Sequence, residues 1–204
     1  MRTLLLALIL LVTLPAQAQP ASPDSPLQAA VEAAVDGFEG VVGVYVEHLP
    51  SGRSAALRPD ELFPTASMVK VPIHLATNQR IDDRDLDYDA DLVFRDSLRY
   101  SEYDLFGDLR DGAEVPLHQA VELMLSASDN TASRWLQRLA GGGAAINAWL
   151  DEHGFEATRV NSRTPGREDA REVYGWGQTT PREMATLMRR SVEGQAVSPA
   201  ADEE

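Results

Sequence analysis

The spacing of apolar residues changes once along this 204-residue chain, near residue 64. Before that point, residues 41–49 (VVGVYVEHL) are β-branched with partial alternation. The turn-forming letters PSGR follow, and residues 54–58 complete a predicted β-hairpin. Beyond residue 64, apolar residues recur at helical spacing in three successive segments between residues 116 and 154. A hairpin followed by a block of helices predicts an α+β protein with a helical part and an antiparallel sheet.

Local signals mark further boundaries. Ser25 and Pro26 begin an Ala-rich helix as N-cap and first helical residue, and Pro116 takes the first position of another helix. Residues 180–183 (TPRE) are a capping box ahead of a last helix. Residues 155–178 have no period and are predicted to form a long loop. Such a loop is unusual in a compact domain unless it serves a function.

The N-terminal sequence has the three-part layout of a secretory signal peptide. Arg2 supplies the positive charge, an apolar run extends to Leu14, and residues 16–18 (AQA) form a cleavage site. We expect residues 1–18 to be removed on secretion to the periplasm or beyond, and residues 19–26 to be a flexible Pro/Ser spacer. An uncleaved membrane anchor is the alternative, but the apolar run is shorter than the roughly 20 residues of a spanning helix.

Composition argues against several classes of function. With 32 acidic and 18 basic side chains the net charge is −14, so phosphate backbones and anionic lipid surfaces repel the chain. The chain has no cysteine, which excludes disulfides and thiolate metal sites. We expect no metal, cofactor or nucleic acid, no membrane attachment after cleavage, and a monomer. None of the chain's four histidines has the spacing of metal ligands. They are His48, His74, His118 and His153.

Lys70 is the chain's single lysine beside 17 arginines, and it follows Ser67 by three residues. On a helix this spacing puts both side chains on one face. A serine hydroxyl becomes an effective nucleophile when a neighbouring base takes its proton. Lysine can be that base if its pKa is lowered, whereas arginine stays protonated. The pair therefore fits a nucleophile with its base, although Ser-x-x-Lys by itself also arises by chance.

A second polar cluster, Ser128-Asp129-Asn130, lies between two predicted helices. As local structure it is a capping loop with Asp129 or Asn130 as N-cap. Together with Ser-x-x-Lys it is also the motif pair of class A β-lactamases and penicillin-binding proteins. The chain resembles class A β-lactamases, the serine enzymes that open the β-lactam ring, over residues 27–204. The resemblance rests on FPTASMVKVPI, MLSASDNTASRWL, GGGAAINAWLDEHGF and residues 158–188, in the family's order.

The resemblance implies a β-lactamase/transpeptidase fold and a role for each site residue. Ser67 would be the acylated nucleophile and Lys70 its base or proton relay. Ser128 would pass a proton to the leaving lactam nitrogen, and Asn130 would hold the substrate's side-chain amide. Tyr100 would form an aromatic wall of the pocket, with an ordinary core or surface tyrosine as the alternative.

The omega loop departs from the family's pattern. The family has Glu-Pro-x-x-Asn there, and its Glu activates the water that releases the acyl-enzyme. Here Thr164 stands at the Glu position and Glu168 at the Asn position. Thr164 cannot act as a base, so Glu168, about one helical turn further on, is the candidate. The alternative is a solvated Glu168 paired with Arg167 or Arg171.

The family's third motif, Lys-[Ser/Thr]-Gly on a strand facing the nucleophile, is also absent. In the family that strand, two further strands and a terminal helix follow the point where this sequence ends. We therefore expect an incomplete domain whose hairpin lacks sheet partners and exposes an apolar face. A missing oxyanion donor from that strand would cost about 10²–10³ in rate.

The sequence thus predicts a secreted serine hydrolase of the class A β-lactamase type, acting on β-lactams through a Ser67 acyl-enzyme and conferring antibiotic resistance. One alternative on the same fold is a D-alanyl-D-alanine peptidase or slow penicillin-binding protein that acts on peptidoglycan stem peptides, which Thr164 favours. A second alternative is an inactive fragment, which the absent third motif favours.

Overall fold

The computed structural model describes residues 22–23 and 25–203, to which the structural statements below refer. The helices within them are α1 (Ser25–Val35), α2 (Lys70–Asp82), α3 (Leu117–Ser126), α4 (Asn130–Leu139), α5 (Gly142–Glu152), α6 (Glu168–Tyr174), α7 (Pro181–Val192) and α8 (Pro199–Glu203). The strands are β1 (Ser22–Pro23), β2 (Val44–His48), β3 (Arg53–Leu57), β4 (Phe63–Pro64), β5 (Asp91–Val93), β6 (Glu114–Pro116), β7 (Arg159–Val160) and β8 (Gly177–Thr179).

The strands form three small sheets. The predicted hairpin is present, because β2 pairs with β3 in antiparallel register with Val44 opposite Leu57 and His48 opposite Arg53. β1 adds to the other side of β3 in parallel, which leaves β2 at an edge of this sheet. In the second sheet, β8 lies between β4 and β7 and is antiparallel to both. The third sheet is the antiparallel pair β5–β6. The prediction of an α+β protein is confirmed.

Helix α2 lies at the centre of the helical part and packs against α4, α5 and α8. Its residues Ile73 and Leu75 are each 1% exposed, and Leu136 of α4 and Leu150 of α5 are fully buried against this core. Burial of such side chains is worth about 1.5–3 kcal/mol each. Because α2 begins at Lys70, the core fixes that lysine at the buried start of its central helix.

The prediction that residues 155–178 form a loop is wrong in part. β7, α6 and the first two residues of β8 all lie in this segment. A strand of two residues is too short to show alternation, and none of the seven residues of α6 is buried. An apolar stripe is the signal by which a helix is recognised in a sequence. This helix has none, so its sequence could not reveal it.

Two predicted helix starts are shifted, and one is confirmed. α1 begins at Ser25, one residue earlier than expected, and Pro116 precedes α3 with extended backbone angles (φ −59°, ψ 141°) as the last residue of β6. The Thr180 side chain caps α7 by accepting from the Glu183 N–H at 3.1 Å, with Pro181 as the first helical residue. The Glu183 carboxylate instead accepts the backbone N–H groups of residues 156–158, which fixes the chain entering β7.

The predicted signal peptide at residues 1–18 lies outside the described residues, as do residues 19–21 and 24 of the predicted spacer at residues 19–26. Within that spacer, β1 is paired with the sheet. Among the described residues, no helix combines the length and the hydrophobicity that crossing a membrane requires. Beside the β2 edge lies an apolar hollow of about 590 Å³, where Phe38 and Val41 are 63% and 70% exposed.

His74 of α2 makes stability depend on pH. Burial lowers the pKa of His74, Asp202 of α8 opposes this, and the Nδ1 atom is buried without a partner in the described residues. The unfolded chain therefore binds a proton more readily, so the free energy of unfolding should fall as pH drops below about 6.5. Urea denaturation at pH 7.5 and 5 should show this loss, and His74→Gln should reduce it. The exposed-histidine control His48→Gln should retain it, and equal losses in all three proteins would contradict the prediction.

Candidate active site

Ser67 lies in the 3₁₀ turn Ala66–Val69, between β4 and the start of α2. Its side chain is exposed, whereas Lys70 one turn later is only 3% exposed. Ala66 has a φ of +44°, in the left-handed region that costs an L-residue roughly 1–2 kcal/mol. Strain of this kind persists where the surrounding structure holds it, and it clusters at functional sites.

The Lys70 ammonium lies at the centre of a cluster of polar groups. Its Nζ lies 2.6 Å from the Ser128 carbonyl oxygen, 2.7 Å from Ser128 Oγ and 2.9 Å from Asn130 Oδ1. Ser67 Oγ lies at 3.4 Å. Four residues therefore meet in one cluster, although Asn130 lies 60 residues from Lys70 in the sequence. They are Ser67, Lys70, Ser128 and Asn130.

Ser67 and Lys70 are connected through Ser128 by two hydrogen bonds, each of which is shorter than the direct contact between them. Ser128 Oγ lies 3.0 Å from Ser67 Oγ and 2.7 Å from Lys70 Nζ, whereas the direct distance between Ser67 Oγ and Lys70 Nζ is 3.4 Å. Ser128 has a φ of +57°, so it too holds a left-handed backbone that few L-residues adopt. This arrangement lets a proton move between the two serines and the amine.

Burial lowers the pKa of Lys70, and the carboxylates of Asp104 and Asp129 oppose that shift. Removing an ammonium from water disfavours its charged form, so a larger fraction of Lys70 is neutral than in free lysine. The two carboxylates have structural partners of their own. Asp129 accepts from the N–H groups of Ala132 (2.7 Å) and Phe106 (3.0 Å), and Asp104 accepts from the Thr131 N–H and hydroxyl.

A cleft of about 490 Å³ opens above Ser67. Tyr100 and Trp176 form an aromatic wall, with ring centroids 5.1 Å apart in an edge-to-face arrangement. Tyr100 is 47% exposed, so its ring is available to a ligand. Asn130 lines the same cleft, and the Trp176 ring centroid lies 6.0 Å from Lys70 Nζ. The Ser67 hydroxyl thus opens onto a surface with one amide and two aromatic rings.

Comparison with known proteins agrees with this geometry. The profile of the "Beta-lactamase enzyme family" matches residues 26–204. The chain belongs to the β-lactamase enzyme family. It is 30% identical over 171 residues to a β-lactamase of Streptomyces albus G, covering 78% of this chain and 52% of that protein, so it spans about half of that relative's length.

Solved structures of this family share the fold. A mutant of PBP-A in an acyl-enzyme complex with penicillin G superposes with a TM-score of 0.78 at 29% identity, over 91% of this chain and 69% of that one. A β-lactamase from Sphaerobacter thermophilus superposes with a TM-score of 0.75 at 26% identity, over 88% of this chain and 67% of that one. The predicted resemblance to class A β-lactamases and the predicted β-lactamase/transpeptidase fold are confirmed.

The structure does not bring Glu168 into the cluster around Lys70. Glu168 begins α6, is exposed, and accepts a hydrogen bond from the Gly166 N–H at 3.2 Å. It lines a different hollow together with Thr164 and Arg171. Its expected role in deacylation therefore stays a prediction.

Thr164, at the position of the family's Glu, is 6% exposed and packs against the start of α5. Its hydroxyl donates to the Ser162 carbonyl oxygen at 3.2 Å. A Cβ atom on Gly143 would fall only 1.7 Å from Thr164 Oγ1, so the glycine leaves the space that the threonine fills. The Thr164 hydroxyl therefore cannot replace the family's Glu carboxylate as a general base.

Two features of the segment before α7 were not predicted from the sequence. Trp176 lines the cleft, and its position between two glycines was the available signal. The Arg167 guanidinium donates to Asn161 Oδ1 (2.9 and 3.0 Å) and Gln178 Oε1 (2.7 Å). Because Asn161 follows β7 and Gln178 is in β8, Arg167 joins the two ends of the loop that carries Trp176.

Gly177 lets β8 approach the turn that carries Ser67. A Cβ atom there would lie 2.8 Å from the Arg159 carbonyl oxygen, Thr65 Oγ1 and Val69 Cγ2. Gly177→Ala should therefore lower the free energy of unfolding by about 1–3 kcal/mol through overpacking. The displaced β8 should also shift the fluorescence of neighbouring Trp176. Urea denaturation and tryptophan emission measure the two effects, and wild-type values in both would contradict the packing argument.

Proposed function

We propose that this chain is a serine hydrolase that opens β-lactam rings through an acyl-enzyme on Ser67. The observation that carries the proposal is the hydrogen-bonded series Ser67 Oγ, Ser128 Oγ and Lys70 Nζ, with separations of 3.0 and 2.7 Å. It joins an exposed hydroxyl to a buried amine whose pKa is lowered by burial. A nucleophile connected in this way to a base is activated for attack on a carbonyl carbon.

The proposed reaction proceeds in two balanced steps. Neutral Lys70 takes the proton of Ser67 through Ser128 while Ser67 Oγ attacks the lactam carbonyl carbon. When the tetrahedral intermediate collapses, the C–N bond breaks, and the same proton passes back through Ser128 to the lactam nitrogen. Water then adds its hydroxyl to the ester carbon and returns a proton to Ser67, which releases the ring-opened acid.

The cleft supplies groups that would orient the substrate. Asn130 Oδ1 accepts from Lys70, so the amide N–H₂ of the same side chain is left to donate to a substrate carbonyl. Tyr100 and Trp176 offer ring faces and edges to an apolar side chain of the antibiotic. These contacts would hold the lactam carbonyl within reach of Ser67.

Intact-mass spectrometry with penicillin G tests the proposal. The chain should gain the mass of one penicillin, Ser67→Ala should gain none, and peptide mapping should locate the adduct at Ser67. A return to the free mass accompanied by the ring-opened product supports hydrolysis. The absence of both an adduct and the ring-opened product in folded protein would overturn the proposal and favour an inactive polypeptide.

A slow penicillin-binding protein or D-alanyl-D-alanine peptidase is the second candidate. Thr164 supports it, because no carboxylate stands at that position, and so does the likeness to PBP-A. An adduct that persists for hours, together with release of D-alanine from a peptide ending in D-Ala-D-Ala, would assign this function. Rapid loss of the adduct without peptide cleavage would assign the β-lactamase function.

We propose further that the chain is secreted by means of residues 1–18, acts as a monomer and confers resistance to penicillins. N-terminal sequencing of exported protein should begin at Gln19, and light scattering should give one chain per particle. Expression should raise the penicillin concentration that a susceptible host survives, and the Ser67→Ala gene should not. Export with residues 1–18 retained would assign them as an anchor.

Glu168→Gln tests whether this glutamate activates the deacylating water. Loss of the carboxylate should leave the rate of acylation unchanged and lengthen the life of the acyl-enzyme by about 10²-fold or more, as general bases commonly contribute. Intact-mass time courses measure both rates. Glu172→Gln, an exposed glutamate of the same helix, is the control. An unchanged lifetime in Glu168→Gln would assign deacylation to another group.

A further inference from the structure

A second hollow, of about 400 Å³, is lined by three arginines. Arg134 and Arg138 are one turn apart on α4, and Arg163 comes from the segment between β7 and α6. Gln137 of α4, Gly142 at the start of α5 and its N-cap Gly141 also line this hollow. We call this place the arginine hollow. Three cations converging in a chain of net charge −14 need an explanation.

The three arginines have no carboxylate partners in the described residues. Other arginines of the chain do, among them Arg182 with Asp60 and Arg99 with Asp96. Arg134 instead donates to the Arg99 carbonyl oxygen at 2.9 Å. Burial lowers the pKa of Arg163, and the nearby cations of Arg134 and Arg171 add to that effect. No carboxylate among the described residues therefore forms an ion pair with these three positive charges.

The local backbone also favours an anion. Arg163 has a φ of +52°, a left-handed conformation that only a few per cent of non-glycine residues adopt. Gly142, the first residue of α5, lines the hollow, and this helix start has no side-chain cap. Helix N-termini carry partial positive charge. A Cβ atom built on Gly142 would meet nothing within 4 Å, so the space beside this turn is open.

We propose that the arginine hollow is a binding site for a small polyvalent oxyanion, separate from the Ser67 cleft. Guanidinium groups recognise phosphate and carboxylate by paired N–H···O bonds, so both chemistries fit. Arg134 and Arg163 also line a gap of about 20 Å³ whose lining includes Tyr100 and Trp176 of the cleft. That gap has room for about one water molecule, which is too small for a polyvalent oxyanion.

Isothermal titration of the full chain with sodium phosphate, at ionic strength held constant with sodium chloride, tests this site. Saturable binding of one phosphate per chain is expected, about tenfold weaker in Arg163→Gln and in Arg138→Gln. Arg163→Lys should retain more affinity than Arg163→Gln. Arg110→Gln, an exposed arginine outside the hollow, should bind as the wild type does. A parallel titration with citrate distinguishes a phosphate site from a polycarboxylate site.

Saturable binding of either anion, weakened by the two arginine variants, supports the proposal. The absence of saturable binding of both anions would overturn it, and so would binding that Arg163→Gln and Arg138→Gln leave unchanged. Circular dichroism of each variant verifies folding, and binding by Ser67→Ala at the wild-type affinity separates this site from the cleft. The outcome is independent of whether the chain hydrolyses β-lactams, because no antibiotic is present.

Discussion

A Lys70→Arg variant should acylate about 10²–10⁴-fold more slowly than the wild type, the range that a general base commonly contributes. The proposed reaction needs a neutral amine at this place, and arginine remains protonated at any pH at which the protein is folded. Burial lowers the pKa of Lys70, so the neutral amine that can act as a base is more populated. The same burial would not produce a neutral arginine side chain. Rapid-quench intact-mass measurements with penicillin G give the rate.

The same variant separates two roles of the lysine. If Lys70 served only as a cation for Ser128 and Asn130, arginine would preserve the charge and acylation would stay within tenfold of the wild type. If it is the base, wild-type acylation should accelerate as pH rises and Lys70 loses its proton, with an inflection below the ordinary lysine pKa of 10.5. That inflection should be absent from Lys70→Arg, and thermal unfolding of both proteins verifies that the variant folds.

The cluster around Lys70 could be predicted because its chemistry is carried by short motifs. Ser67 and Lys70 belong to one turn of chain, and Ser128 and Asn130 belong to another, so only one long-range contact had to be inferred. The glycines on both sides of Trp176 were a local signal, but they could not predict its place in the cleft, which depends on the pairing of β8 with the distant strand β4. Such a pairing depends on packing that no local pattern encodes.

The same distinction explains the fold. Helices with a buried stripe, such as α4 with Trp135 and Leu136, repeat apolar residues at helical spacing and could be predicted. α6 has no buried residue, and β7 has only two residues, so neither leaves a pattern. The arginine hollow escaped prediction for a related reason. Only the tertiary structure brings Arg163 near Arg134. In the sequence, nothing distinguishes Arg163 from the other arginines.

Asp129→Ala should lower the free energy of unfolding by roughly 2–4 kcal/mol. Asp129 is 3% exposed and accepts from two buried N–H groups, those of Ala132 at 2.7 Å and Phe106 at 3.0 Å. Loss of an N-cap commonly costs about 1 kcal/mol, and each buried donor left without a partner costs about 1–3 kcal/mol. Because the Phe106 contact joins α4 to a distant segment, the loss should appear in global unfolding by urea.

Asp129→Ala should also lower the pKa of Lys70 further, since the Asp129 carboxylate raises it in the native protein. The pH at which acylation accelerates should therefore move down. Asp129→Asn is the matched control, because it removes the charge but keeps one oxygen to accept a buried N–H. It should share the change in pH dependence and lose less stability than the alanine variant. An asparagine variant with the wild-type pH profile would show that Asp129 acts through helix capping alone. If both variants lost the same free energy of unfolding, the charge of Asp129, rather than its retained oxygen, would account for its effect on stability.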